Sequence, residues 1–370
     1  MRKRVLEVET SCIIRPLNQS IPATRHRSEE ATPDALCRLM PMSSSMQRMH
    51  NLKQPLPRPS TLSIAGASGF IGSHLLARLA GRDDCRVRVL TRQPGHRFPA
   101  GCEVIQGDLA DGAGLDGFLA GSDLLINLAW PADTPDLDTH RRLATGLAEA
   151  CLAAGIGRVL HVSTATVVGR TTQRRVNERT PCDPANPYER SKLAVEEALR
   201  AALDGRLDYA MLRPTAVFGP GSLNLRTLAA TLTQAPAWRR QALRFLHGRR
   251  RMHLVPVEDV VDALLFLAFS PEPLDGETYL ISADRHPANH YQAVDALLGD
   301  ALGVGDRAAS AYLPGALLSL ALRLRGRSQS DPYLHFDAAK LAARGFVGER
   351  DFAAAVRAYG EWYRDAEVRA

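Results

Sequence analysis

Thr61-Leu-Ser-Ile-Ala65 leads into Gly66-Ala-Ser-Gly69-Phe-Ile-Gly72, and Ser73-His-Leu-Leu-Ala-Arg-Leu79 follows. The first five residues read as a β-strand and Phe70 to Leu79 as a helix, with glycines at the turn between them. A pyrophosphate must come close to backbone N–H groups at a helix N-terminus, where the helix dipole is positive. Side chains in the turn would block that approach, so the turn needs glycine. Gly72 lets the helix lie close to the strand. Glycine triplets alone are weak signals; strand–turn–helix context makes this one a dinucleotide site built from Gly66, Ser68, Gly69, Phe70, Ile71 and Gly72. The competing reading is a tight turn with close packing and no ligand.

Working outward, strands and helices alternate. Arg86–Thr91, Glu103–Gln106, Asp123–Ala129, Arg158–Ser163 and Tyr209–Arg213 read as strands. Asp138–Ala154 reads as a long helix stopped by Gly155, and Tyr188–Ala202 as another. Short apolar strands separated by helices imply parallel βαβ units, hence an α/β, Rossmann-type doubly wound sheet. After Pro214 the order loosens. Pro256–Phe269 reads as a helix, Thr278–Ser282 as a strand, and the remainder as mainly helical. The expected division is a Rossmann domain over 59–215 and a smaller substrate-binding lobe over 216–370, with part of 255–282 returning to the sheet. Residues 1–58 lack either periodicity and read as a disordered extension or a misassigned start.

Composition excludes several classes. The chain has 370 residues, 45% of them hydrophobic, enough for a sizeable core. Its charge of +6 combines 46 Lys+Arg with 40 Asp+Glu, a mixed surface that does not point to nucleic acid. Ten Lys/Arg against five Asp/Glu in the first 60 residues supply part of that excess. Cysteines at 12, 37, 85, 102, 151 and 182 form no CxxC pair or zinc spacing, so no metal is expected and the thiols read as reduced, in a cytoplasmic protein. No apolar run reaches the roughly 18–20 residues that span a bilayer. The longest, Leu313–Leu322, reads as a core helix.

The second strand ends Leu90-Thr91-Arg92. NAD-specific sites place a carboxylate there for the ribose hydroxyl; Arg92 instead suits a 2′-phosphate, so NADP is expected ahead of NAD. Arg88 reads as a solvated cation. Asp108, before Leu109 in Gly107-Asp-Leu, is placed either to meet the adenine amino group or to close a turn. Ala129, ending the fourth strand, would lie under the cofactor.

Tyr188 and Lys192, at i and i+4, share one helix face. A phenol with a pKa of about 10 is a poor base at neutral pH. A neighbouring ammonium favours phenolate, and Lys192 can also donate to a nicotinamide ribose. Ser163-Thr164 ends a strand 24 residues upstream of Tyr188. Ligands of doubly wound sheets bind beyond the carboxyl ends of the strands, so a hydroxyl there can hold a reacting carbinol or carbonyl oxygen. Thr164 is the first choice and Ser163 the second.

With these motifs in place, the chain resembles the extended short-chain dehydrogenase/reductase family, in its epimerase/dehydratase branch. The resemblance runs from about Leu62 to Arg364 and rests on GASGFIG (66–72), GDL (107–109), NLA (127–129), HVSTATVVG (161–169), YERSK (188–192), LRPTAVFGPG (212–221) and VEDVVDALL (257–265). It implies that Thr164, Tyr188 and Lys192 do the chemistry, that the segment after Pro214 helps bind nicotinamide, and that two copies pair through helices as a homodimer. Departures narrow the reaction. Ala165-Thr166 stand where the dehydratases carry Asp-Glu, which argues against 4,6-dehydration; the ATV run resembles the 4-epimerases. Val168 replaces a tyrosine. His140 stands where an Asn is frequent, either altering proton relay or lying exposed on its helix. Arg249, Arg250 and Arg251 sit off the register of a nucleotide-gripping arginine. The expectation is an oxidoreductase or epimerase acting on a small molecule, a sugar and by first choice a nucleotide-linked one. The alternatives are an NADPH-dependent reductase of a non-sugar ketone or aldehyde, and a silent NADP-binding sensor or assembly factor.

Overall fold

The computed structural model describes residues 58–369, apart from 94, 131–135, 305–310, 325–328 and 349. The N-terminal extension expected over 1–58 thus lies, but for Arg58, outside the described residues, as do Cys12 and Cys37.

Strands β1 (Thr61–Ala65), β2 (Arg86–Thr91), β3 (Cys102–Gln106), β4 (Leu124–Asn127), β5 (Arg158–Val162), β7 (Asp208–Pro214) and β10 (Glu277–Ile281) form one sheet in the order β10-β7-β5-β4-β1-β2-β3. Every pairing in it is parallel. β4 and β5 are buried throughout, as expected of strands covered on both faces.

Alternation along β1 divides the core. Leu62 and Ile64 face a cluster with Leu75 and Leu76 of helix α1 (Phe70–Leu79) and with Val260 and Leu264 of α7 (Val257–Ala268). Ala65 joins the opposite cluster, with Leu147 and Cys151 of α3 (Leu137–Ala153) and Leu199 of α4 (Pro187–Leu203). α2 (Leu115–Leu119) caps this layer. Gly155 takes φ +72° where α3 stops, a conformation that favours glycine.

A third cluster draws on helices α5 (Arg226–Gln234), α8 (Tyr291–Ala301) and α11 (Phe352–Arg369) around Phe218, Phe352 and Tyr359. α6 (Ala237–His247) packs on α8 and is joined to the start of α9 (Gly315–Leu324) by the Leu313 N–Phe245 O bond, while α10 (Ala339–Ala343) adds Leu341 to the first cluster beside β10. Two short parallel pairs, β8 (Ala216–Phe218) with β9 (Leu254–Pro256) and β6 (Arg175–Val176) with β11 (His335–Phe336), complete the strands.

Two expectations need correction. Arg88 is no solvated cation: its guanidinium bonds Glu103 Oε2 at 3.0 Å, Ala120 O at 2.7 Å and Phe118 O at 3.2 Å, tying β2 to β3 and α2. The Leu313–Leu322 run is no core helix. α9 buries Leu318 and Leu322 but turns Leu317 and Leu320 outward.

Candidate active site

The glycine turn meets the end of β4. Gly66 has φ +79°, and a Cβ there would lie 2.7 Å from Ala129 N. A Cβ on Gly72 would lie 2.5 Å from Gly66 O and 2.6 Å from Ala67 O, so only glycine fits. Gly69 caps α1 with no side-chain hydrogen bond. The first-turn N–H groups of α1, from Phe70, Ile71 and Gly72, therefore open onto a cradle of bare backbone. Ser68 stands exposed beside it. This arrangement fits a pyrophosphate.

The other predicted contacts lie at or past the carboxyl ends of strands in a sheet whose order reverses between β1 and β4. Arg92, past the end of β2, is exposed, and no ion pair of it is found among the described residues. Asp108 accepts the Ala110 N–H at 3.0 Å, closing a turn. Leu109 packs against the α3–α4 core layer. Pro214 ends β7, opposite Ile281.

Local sequence sets the tyrosine helix. Asn186 caps α4 by accepting the Glu189 N–H at 2.9 Å, Pro187 opens it, and Glu189 reaches back to Ala185 N at 2.7 Å. Tyr188 thus lies in the first turn and Lys192 one turn later, buried. Lys192 Nζ donates to Val162 O, on the end of β5, at 3.3 Å.

Thr164 follows β5 and joins Tyr188. Its hydroxyl lies near enough to the phenol to oppose the upward pKa shift that burial gives Tyr188. Thr164 also caps the 3₁₀ turn over Ala165–Val168, and its Oγ1 lies 3.0 Å from Thr166 Oγ1. Ser163 is buried, and its Oγ has no hydrogen-bond partner among the described residues.

Trp130, which motif reading did not place, and His140, read as either altering proton relay or lying exposed, complete the site. Trp130 stacks on His140 with centroids 4.6 Å apart and 10° between planes, and meets Tyr188 edge-on at 5.6 Å. Lys192 Nζ lies 4.5 Å from the Trp130 ring centroid, within cation–π range. His140 is therefore buried, not exposed on its helix. Under this group His161 Nδ1 meets Asn127 Nδ2 at 3.2 Å, while Asn127 Oδ1 holds the Ala129 N–H at 3.1 Å.

The expected electrostatics differ in one respect. Lys192 was to lower the pKa of Tyr188; instead the phenol is shifted upward by desolvation. The ammonium is occupied by Val162 O and the indole, and burial brings its own pKa down to about 8, with Glu196 opposing. Glu196 is itself held by Arg213 through hydrogen bonds of 2.6–3.2 Å. No group of metal-ligating side chains is found among the described residues.

The chain is similar to known proteins. The chain is 32% identical over 231 residues to a ceramide reductase of Caulobacter vibrioides, spanning 60% of this chain and 65% of that protein. It is 32% identical over 151 residues to a UDP-glucose 4-epimerase of Azospirillum brasilense, spanning 38% and 43%. In both cases the match falls short of two thirds of the relative's length. A solved UDP-glucose 4-epimerase of Thermus thermophilus in complex with NAD has the same fold, with a TM-score of 0.62 and 23% identity over 83% of this chain and 99% of that one. The family model described as NAD dependent epimerase/dehydratase matches residues 62–282, and the chain belongs to that family.

Proposed function

We propose that the chain is an NAD(P)-dependent oxidoreductase of a secondary alcohol or ketone, with Tyr188 as acid/base. The meeting of Tyr188 and buried Lys192 on the Trp130 ring, with the Thr164 hydroxyl acting on the phenol, carries this reading. When bound, the nicotinamide would supply or accept the hydride. In reduction, Tyr188 gives its proton to the carbonyl oxygen as the hydride reaches the carbon. The Thr164 hydroxyl donates to the same oxygen and fixes its position. Lys192, one turn further along the helix, would donate to the nicotinamide ribose and hold the cofactor beside Tyr188.

NADP is the preferred cofactor, because Arg92 stands beyond β2 where a carboxylate would repel a 2′-phosphate. Among substrates we favour a non-sugar ketone of apolar character, held in the lobe over 216–370. Trp130 gives the space beside Tyr188 an indole wall, and the likeness to a ceramide reductase agrees. Epimerisation of a sugar is the second reading, supported by Ala165-Thr166-Val167 and by the likeness to UDP-glucose 4-epimerase. Pairing of two copies through α3 and α4 is part of the proposal.

The experiment is Tyr188→Phe, assayed with NADPH against a panel of long-chain ketones and UDP-sugars. Turnover should fall by roughly 10²–10⁴, with NADPH binding by fluorescence retained. An unchanged rate removes Tyr188 from the chemistry. Turnover of UDP-sugars alone replaces the ketone reading with the epimerase one.

A further inference from the structure

A helix on a protein surface normally keeps its apolar stripe inward. α9 carries a second apolar stripe on its outer side, where Leu317, Leu320 and Leu324 are 54%, 55% and 80% exposed. α6 repeats the pattern, presenting Trp238, 72% exposed, and Phe245. The two helices are joined. Leu313 N donates to Phe245 O at 2.8 Å, and Tyr312, itself exposed, lies against Gly248 just past α6. The two helices thus meet at Phe245, Leu313 and Tyr312, each carrying exposed apolar side chains on the C-terminal lobe.

Their frame is cationic. Residues 216–257 hold no Asp or Glu and seven arginines, of which Arg244 is buried on Asp295, and α9 carries Arg323. Arg239, Arg249 and Arg323 are exposed beside the apolar residues, and the Arg249 guanidinium lies 6.0 Å from the Tyr312 ring centroid. Leucines and tryptophan outward with arginines around them are what an interfacial helix needs to enter the headgroup–acyl boundary. A second copy fits poorly, because a two-fold contact would set arginine against arginine. Nucleic acid fits poorly as well, since it would leave the leucines of α9 in water.

We propose that this face docks on the surface of an anionic lipid bilayer, its leucines and Trp238 at the acyl boundary and its arginines on the headgroups. The inference stands apart from the reaction proposed above and from Tyr188. It concerns a helix that lies on the membrane; no helix among the described residues is long and apolar enough to cross one.

The test is sedimentation of the full chain with vesicles of phosphatidylglycerol and phosphatidylcholine in equal parts. The chain should pellet with these vesicles, pellet less with phosphatidylcholine alone, and be partly released by salt. Leu317→Glu with Leu320→Glu should weaken binding by roughly tenfold per leucine, with the melting temperature unchanged because both side chains are exposed. A chain that stays in the supernatant with anionic vesicles overturns the proposal. So does a double variant that binds as well as the parent. A double variant that converts a dimer to a monomer in light scattering, without altering vesicle binding, assigns the face to a second copy instead.

Discussion

Trp130 presents its indole to the ammonium of Lys192, whose Nζ lies 4.5 Å from the ring centroid, while the same indole stacks on His140. The charge of Lys192 is therefore kept inside the protein by an aromatic ring, a carbonyl and the distant pull of Glu196. That arrangement costs stability, and the cost can be measured.

Burial lowers the Lys192 pKa from 10.5 to about 8. Below about pH 8 the folded and unfolded chains are both charged, and the full penalty is present. As pH rises towards 10.5 the folded state loses its proton first, and the penalty is relieved. Lys192→Met should stabilise the cofactor-free protein by roughly 1–3 kcal/mol at pH 7 and remove the gain between pH 8 and 10. Urea titrations at pH 7 and pH 9 check this. A variant less stable than the parent at pH 7 contradicts it.

His161 acts at the acid end. Burial, then the charge of Lys192, brings its pKa down from 6.5 to about 3. Below pH 6.5 the unfolded chain takes up a proton that the folded chain refuses. Stability should fall by about 1.4 kcal/mol per pH unit towards pH 3 on this account. His161→Gln should flatten that slope in denaturation curves taken from pH 7 to pH 4; an unaltered slope would assign acid sensitivity to other groups.

Cofactor choice is read at Arg92. Arg92→Asp should lower the ratio of NADP to NAD specificity by roughly 10- to 100-fold, the worth of one charge-assisted contact. Steady-state kcat/KM with both cofactors gives the ratio. If it does not move, Arg92 is a surface charge only.

The glycine turn separates two kinds of requirement. In Gly72→Ala the new Cβ meets backbone atoms at 2.5 and 2.6 Å, which cannot move independently. A loss of about 2–3 kcal/mol is expected, in the range for overpacking. Gly69 has φ −76°, which any residue adopts, and its added Cβ would stand 3.2 Å from Gly66 O. Gly69→Ala should change stability by less than about 1 kcal/mol yet weaken NADPH binding, because the methyl enters the bare cradle. Thermal melts and fluorescence titration distinguish the two variants.

Much of this was legible in the chain itself. The strand, glycine turn and helix at 61–79 are local, so their reading needed no partner. Tyr188 and Lys192 are joined by helical spacing, and Asn186-Pro187 announces where that helix begins. Trp130 and His140 were not recognised together, because their stacking depends on the end of β4 meeting a buried face of α3. Apolar density at 313–322 indicated a helix but not which way its leucines point; only packing settles direction. Arg88 misled for a related reason, since its partners on β3 and α2 are distant in sequence. The paired strands β6 and β11 are two residues each, too short for any period to show.

Arg158 opens β5 and Asp208 opens β7, and the two form a buried ion pair at 2.7 Å. Arg158 also donates to the carbonyls of Leu267, Ser270 and Glu272, and Asp208 accepts from Leu274 N and Asp275 N. This knot lies at the amino ends of the strands, whereas Thr164 and Pro214 lie at or just past their carboxyl ends. The fold is anchored at the floor of the sheet and leaves its rim free to vary. New substrates can be explored there by replacing loops and wall residues, without touching the foundations that keep the strands in order.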